Sequence, residues 1–126
     1  MIELKPVNFL EIQKYFVDFQ KHSKCYEMPP EAAQCVGIYD GSRLAGYFIV
    51  LPYTDRSIDI IQGYWTKEYR HKDLSKTAVR LLEERIKRFG FTICRIVTHS
   101  RFRSYMNFAK DLGYSPSHII FQKRLS

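Results

Sequence analysis

The chain has 126 residues, of which 45% are hydrophobic and 15% aromatic, and these values predict one domain with its own buried core. Lysine and arginine outnumber aspartate and glutamate by 20 to 13, and the net charge of +7 favours an anionic partner such as a phosphate-bearing cofactor, a nucleic acid or an acidic protein. The longest apolar run, residues 44–53, is about half of a membrane span, which argues against a membrane protein.

The cysteines predict a reducing compartment. Cys25, Cys35 and Cys94 are odd in number and widely spaced, and residues 1–5 lack the apolar core of a secretory leader. We therefore expect reduced thiols and a cytoplasmic protein. His22 and Cys25 resemble half of a metal site, but no second pair of ligands follows at a suitable spacing, so no metal is predicted.

The chain is predicted to begin with a short strand, residues 2–5, and a helix over residues 9–22. Asn8 offers a side-chain oxygen at the helix start, and Glu11 stands in the reciprocal position of a capping box. The apolar positions recur as one face of a helix, namely Phe9, Ile12, Phe16 and Phe19.

A loop and three strands are predicted next. Residues 23–33 contain two consecutive prolines, which exclude regular structure. Residues 35–39 and 44–51 are strands joined by a tight turn in which Gly41 supplies a positive φ, and residues 58–65 are a third strand of the meander.

The second half alternates helices with strands. A helix is predicted from Asp73 or a neighbour to Phe89, with Gly90 as its stop, and its inward face comprises Leu74, Ala78, Leu81, Leu82, Ile86 and Phe89. Residues 92–98 form an apolar strand of the kind buried on both faces. A helix over residues 102–112, ended by Gly113, and a strand over residues 117–125 complete an α+β plan around a central sheet.

The segment after the third meander strand carries a motif. Residues 65–78 read WTKEYRHKDLSKTA, with Arg70, Asp73 and Ser75 at positions one, four and six of a six-residue turn that opens a long helix. This segment resembles the cofactor-binding turn of the GCN5-related N-acetyltransferase (GNAT) superfamily, Arg/Gln-x-x-Gly-x-Gly/Ala. Asp73 and Ser75 replace the usual glycines. The order of elements and the Leu112-Gly113-Tyr114 step extend the resemblance over nearly the whole chain.

The resemblance implies a single-domain GNAT-like fold over residues 1–126, with a mixed and mostly antiparallel sheet flanked by helices. It implies acetyl transfer from acetyl-CoA to the amine of a small molecule or a protein, with the coenzyme in a gap where two neighbouring strands separate. Its pyrophosphate would meet the N–H groups of a helix N-terminus. The positions implied to bind the cofactor are Tyr64, Trp65, Thr66, Arg70, His71, Lys72, Asp73, Leu74, Ser75 and Lys76.

Asp73 leaves two alternatives open. Its carboxylate can cap the long helix and occupy the N–H groups that a pyrophosphate would use, and it would repel a phosphate about 5 Å away by roughly 1 kcal/mol in water and about 3 kcal/mol at an effective dielectric of 20. A capped helix without cofactor and a weakened cofactor site are both consistent with this residue.

The resemblance also implies catalytic groups. The family's acid tyrosine would stand four residues before Gly113, where this chain has Ala109, and Tyr105 lies one turn earlier as a substitute. Asp59, Glu68 and His99 are the candidate bases. A tyrosine at this spacing is more often a core residue, and an isolated acidic residue on a strand more often faces solvent. Gly63 predicts a β-bulge that exposes the amides of Tyr64 and Trp65, or simply room for a neighbouring side chain.

Two further functions compete with the enzyme. The chain resembles small phage proteins with a GNAT-like fold, some of them virion-associated, which implies a binding or structural protein without the reaction and with a protein partner. The hypothesis of a nucleic-acid-binding domain is supported by charge and aromatic residues alone, since no binding signature is present. The outer face of the last predicted strand is compatible with a homodimer.

Overall fold

A computed structural model describes residues 1–24, 28–98, 103–118 and 120–125, and the side chain of Tyr105 lies outside the description. In chain order the elements are β1 (Ile2–Pro6), α1 (Phe9–Ser23), β2 (Gln34–Asp40), β3 (Arg43–Pro52), β4 (Ser57–Trp65), a 3-10 turn (Lys67–Tyr69), α2 (Ser75–Arg88), β5 (Ile93–Ile96) and α3 (Arg103–Asp111). The predicted α+β plan is confirmed.

The five strands form one sheet in the order β1-β2-β3-β4-β5. The first four strands pair antiparallel as a meander, and β5 joins β4 in parallel after the crossover through α2. The sheet is therefore mixed and mostly antiparallel, as predicted. Gly41 has a φ of 62° in the turn between β2 and β3, which is the conformation that the Asp-Gly pair predicts.

Helix α1 covers one face of the sheet. The backbone N–H of Asn8 donates to the Glu11 carboxylate at 3.3 Å, so the predicted reciprocal contact at the helix start is present. Ile12 and Phe16 are 0% and 2% exposed and pack against Tyr47 on β3. This face of the sheet is called the α1 face below.

Helix α2 covers the opposite face, called the α2 face below. Its buried side chains pack against strands β2, β3 and β4, and they are Ala78, Val79, Leu82 and Ile86. The helix begins at Ser75 rather than Asp73. The inward position predicted for Phe89 is wrong, because the helix ends at Arg88 and the Phe89 side chain is 71% exposed. Gly90 follows with a φ of 92°, as a C-terminal stop requires.

Strand β5 is shorter and more exposed than predicted. It spans Ile93–Ile96 and pairs only with β4, so it is the edge strand of the described sheet. Ile93 is 53% exposed and Val97, just beyond the strand, is 46% exposed. The prediction of a strand buried on both faces is wrong, because Ile93 is exposed and the three residues after it are only partly buried.

The last predicted strand is not found either. Residues 117, 118 and 120–125 have no strand structure, and Ile119 lies outside the described residues. Ile120, Phe121 and Leu125 are 86%, 91% and 92% exposed. An apolar segment becomes a strand only when a sheet partner and a packed face stabilise it, and the described sheet supplies neither here. The homodimer stays a prediction.

Candidate functional site

The second half of β4 has an open edge. Strand β5 pairs with β4 only over residues 57–60, and the last contact is the Val97 N–H donating to the Ile60 carbonyl at 3.0 Å. Residues 62–65 remain paired with β3. On the β5 side they have no backbone partner among the residues that the structure describes. The separation of two adjacent strands ahead of the Asp73 segment, which the resemblance implies, is therefore present in the pairing pattern.

A β-bulge at Ile61 changes which side chains face each helix. Ile49 pairs with Gln62 and Val50 pairs with Ile60, so Ile61 is the extra residue. Before the bulge Ile60 faces α2, whereas after it Tyr64 packs on the α1 face. Strict alternation from Ile60 would have placed Tyr64 on the α2 face. The bulge therefore brings the Tyr64 ring to α1 beside the open edge.

The bulge predicted at Gly63 is wrong in position. Gly63 stays in register opposite Phe48, and a Cβ added to it would lie 3.4 Å from the Phe48 ring. This close packing fits the other interpretation of Gly63, in which the glycine leaves room for a neighbouring side chain.

Two peptide groups of β4 face the open edge. The Thr66 N–H donates to the Ala45 carbonyl of β3 at 2.8 Å. Because main-chain groups alternate in direction along a strand, the groups of Tyr64 also point to β3 and those of Gly63 and Trp65 point away from it. The Trp65 carbonyl accepts a hydrogen bond from Arg70 Nε at 3.1 Å, which agrees with this alternation. Exposure of the Tyr64 amide is not supported.

The N-terminus of α2 has no side-chain cap. Leu74 is the N-cap residue, and no side chain among the described residues caps the helix with a hydrogen bond. Asp73 is exposed, with a φ of 52°, the left-handed conformation that glycine adopts most readily. Asp73 thus keeps the backbone conformation that a glycine would favour at this motif position. The alternative in which its carboxylate caps the helix is wrong, and the N–H groups of the first turn remain available to an anion.

Trp65 ties the strand to this helix. Its Nε1–H donates to the Ser75 hydroxyl at 2.8 Å, and its ring packs beside the core on the α2 face. Leu74 packs against the same core, so the turn is held in place on its apolar side. The open edge of β4 and the first turn of α2 are therefore directly linked.

Basic side chains surround the turn, and they differ in their contacts. His71 and Lys72 are exposed, and Lys72 Nζ lies 4.9 Å from the centre of the Tyr69 ring. Lys76 Nζ is 3.9 Å from the Asp111 carboxylate of α3, an exposed and weak pair. These cations are compatible with an anion at the start of α2.

Arg70 is held on the α1 face. Its Nη2 donates to the Asp18 carboxylate at 3.1 Å and to the Tyr64 hydroxyl at 2.7 Å. The Tyr64 hydroxyl in turn donates to Asp18 at 2.6 Å. The Tyr64 hydrogen bond is the main influence that lowers the pKa of Asp18, and burial followed by the Asp18 hydrogen bond raises the pKa of Tyr64 to about 12. Tyr64 is therefore a neutral hydrogen-bonding group at physiological pH.

Asp59, a predicted base, lies in an ion pair in the paired half of β4. Its Oδ1 accepts from Arg95 Nε at 2.6 Å and its Oδ2 accepts from the Tyr53 hydroxyl at 2.9 Å. The side chain is 12% exposed. Both oxygens are engaged, so this environment favours a structural role that ties β5 to β4.

The other two candidates are placed differently. Glu68 lies in the 3-10 turn and pairs with Arg43 at 2.5 Å, with both side chains about 60% exposed (61% and 59%). The backbone of Tyr105 lies in α3, and its side chain is outside the described part of the chain. The structure therefore does not bring Asp59 and Glu68 together at the open edge, and His99 lies outside the described residues.

The cluster of polar groups on the α1 face has no counterpart among the predicted site residues other than Tyr64 and Arg70. Asp18 contacts Tyr64 and Arg70, which are distant from it in sequence, and the Tyr47 hydroxyl donates to Gln62. No local signal in the sequence marks Asp18, because its contacts depend on how α1 packs on the sheet.

Other features of the surface bear less on the site. A shallow groove between the end of α2 and β5 contains none of the predicted site residues. Among residues 1–24, 28–98, 103–118 and 120–125, no three metal-ligating side chains come together. No helix in the described part of the chain is long and apolar enough to cross a membrane.

Comparison with known proteins adds structural relatives only. No protein-family model matches the chain, and no curated protein matches it in sequence. Among solved structures, a candidate acetyltransferase from Bacillus subtilis has 13% identity and a TM-score of 0.77, covering 100% of this chain and 99% of its own. The ribosomal-protein-alanine N-acetyltransferase of Brucella melitensis has 9% identity and a TM-score of 0.72, with 98% and 99% covered.

A third similar structure is an aminoglycoside acetyltransferase from an uncultured soil sample, solved with sisomicin. It has 8% identity and a TM-score of 0.71, and the match covers 99% of this chain and 97% of that one. Identities this low establish architecture and not reaction. From the strand order, the open edge of β4 and these full-length matches, the chain has the fold of the GCN5-related N-acetyltransferases.

Proposed function

We propose that the chain transfers an acetyl group from acetyl-CoA to an amine at the open edge of β4. The observation that carries the proposal is the position of this edge, residues 61–65, directly beside the uncapped N-terminus of α2. An open strand edge offers hydrogen-bonding peptide groups to an extended ligand, and a helix N-terminus offers N–H donors and a partial positive charge to phosphates. Coenzyme A combines an extended amide-containing arm with a pyrophosphate.

The residues present fit this coenzyme. Acetyl-CoA would supply the activated acetyl thioester. The N–H and carbonyl of Gly63 and the N–H of Trp65 would bind the pantetheine arm, and the N–H groups at the start of α2, with Lys72 and Lys76, would bind the pyrophosphate. Ser75 replaces a motif glycine, but its hydroxyl is turned to the Trp65 indole.

The general acid and the general base are proposed from their positions in the chain. Tyr105 on α3 is the proposed acid for the departing thiolate. Glu68 is the proposed base, because its carboxylate is exposed and its ion-pair partner Arg43 is also exposed. Asp59 ranks behind it, since its ion pair with Arg95 would have to break before it could accept a proton.

Calorimetric titration with acetyl-CoA tests the proposal. We expect micromolar binding, weakened about 30-fold by the double change Lys72→Ala and Lys76→Ala, because each ammonium contributes roughly 1 kcal/mol near a phosphate in water. Lys87→Ala is the matched control, since Lys87 is exposed near the opposite end of α2. No heat at millimolar ligand would reject the enzyme.

That negative result would favour the second function, a binding or structural protein with this fold and a protein partner. Two observations favour it: the Arg70 guanidinium is already engaged by Asp18, and Asp73 directly precedes the first turn of α2, where its carboxylate would repel a pyrophosphate. In either case we propose a cytoplasmic location, because Cys35 and Cys94 are free thiols.

A further inference from the structure

A carboxylate and aromatic rings meet on the α1 face next to the open edge. The Tyr64 ring stacks on Tyr47 with centroids 5.3 Å apart, and Tyr15 of α1 lies 6.0 Å from Tyr64. Asp18 of α1 accepts the Tyr64 hydroxyl at 2.6 Å. A carboxylate beside a tyrosine ring is the chemistry that binds an organic cation, through a charge-assisted hydrogen bond and a cation–π contact.

The chain already holds a cation in this place. The Arg70 guanidinium lies 5.2 Å from the centre of the Tyr64 ring, and its Nη2 contacts both Asp18 and the Tyr64 hydroxyl. His22 adds a second contact to Asp18, with Nε2 at 3.3 Å from Oδ1. Arg70 thus shows which ligand geometry the site accepts.

Arg70 does not belong to the walls of this site. Asp18 and Tyr15 lie on α1 and Tyr64 and Tyr47 lie on the sheet, whereas Arg70 follows the 3-10 turn and reaches back to the strand end. Its side chain is 35% exposed. A residue from the connecting turn can move while the helix and the sheet keep their positions.

We propose that Asp18 and Tyr64 bind a cationic group of the acetyl acceptor, and that Arg70 fills this site when the acceptor is absent. The acceptor then carries a guanidinium or a second ammonium group in addition to the amine that is acetylated. The cationic group binds at Asp18 and Tyr64, and the reacting amine lies toward the open edge of β4. The identification of the bound cation as an acetyl acceptor rests on the proposed function. The cation site itself does not need the coenzyme.

Agmatine tests the site, because it combines a guanidinium with a primary amine on a short chain. Calorimetric titration without coenzyme should give at least tenfold tighter binding to Arg70→Gln than to the unchanged protein. Glutamine keeps an N–H donor for the Trp65 carbonyl while it removes the competing charge. In the double variant Arg70→Gln with Asp18→Asn the gain should disappear. Equal agmatine affinity in Arg70→Gln and the unchanged protein would overturn the proposal.

Asp18→Asn is the second variant, in case loss of Arg70 prevents folding. It removes the carboxylate that binds the cationic group, so agmatine should bind at least about threefold more weakly than to the unchanged protein. Unchanged agmatine affinity in a folded Asp18→Asn protein would contradict the proposal. Titrating the same samples with acetyl-CoA separates the two proposals, since the agmatine result does not depend on whether the coenzyme binds.

Discussion

Replacing Leu82 with alanine is expected to lower the free energy of unfolding by about 3 kcal/mol, within the range of roughly 2–5 kcal/mol for buried leucines. Leu82 is 0% exposed and lies in the core between α2 and the sheet. The shortened side chain would leave a cavity under the helix whose first turn borders the candidate site. Urea denaturation followed by far-UV circular dichroism measures the loss.

Leu10→Ala is the control for this prediction. Leu10 is also helical but 78% exposed, so its replacement should change the free energy of unfolding by less than about 0.5 kcal/mol. Equal losses in the two variants would show that α2 does not bury the face assigned to it, and the position of its N-terminus beside β4 would lose its support.

Replacing Asp73 with glycine should tighten acetyl-CoA binding by about fivefold to 150-fold, the range that follows from roughly 1 to 3 kcal/mol of charge repulsion at about 5 Å. The variant should also fold, because the φ of 52° at this position suits glycine without steric cost. Calorimetric titration of purified Asp73→Gly measures the effect.

Asp73→Asn separates charge from space. Asparagine tolerates the left-handed conformation and is nearly equal in size to aspartate, so it should give most of the gain if repulsion is the obstacle. A further gain in Asp73→Gly would report the room that a side chain occupies. Unchanged or lower affinity in both variants would contradict the assignment of this turn to the pyrophosphate.

The sequence predicted the local elements well, because their signals are local. The apolar stripe of α1, the Asp-Gly turn and the glycine after α2 each depend on neighbouring residues, and all are found in the structure. The motif also misled in one respect. Asp73 differs from the motif glycine in residue type but has the positive φ that the glycine would supply.

Features that depend on distant partners could not be predicted. The bulge at Ile61 is fixed by the register of β4 against β3, and nothing in a run of β-branched residues marks the extra one. The absence of a strand at residues 120–125 depends on whether a sheet partner is present. The contact of Asp18 with Arg70 joins residues that only the packing of α1 on the sheet brings together.

The most direct test of the account follows backbone amide resonances of the labelled protein during titration with acetyl-CoA. We predict that the largest changes occur at Gly63 and Trp65, whose main-chain groups face the open edge, and at the first turn of α2 from Ser75 onward. Saturating ligand should also slow amide hydrogen exchange at Gly63 and Trp65. Changes confined to other parts of the sheet, or no changes at millimolar ligand, would contradict the claim that this edge binds the coenzyme.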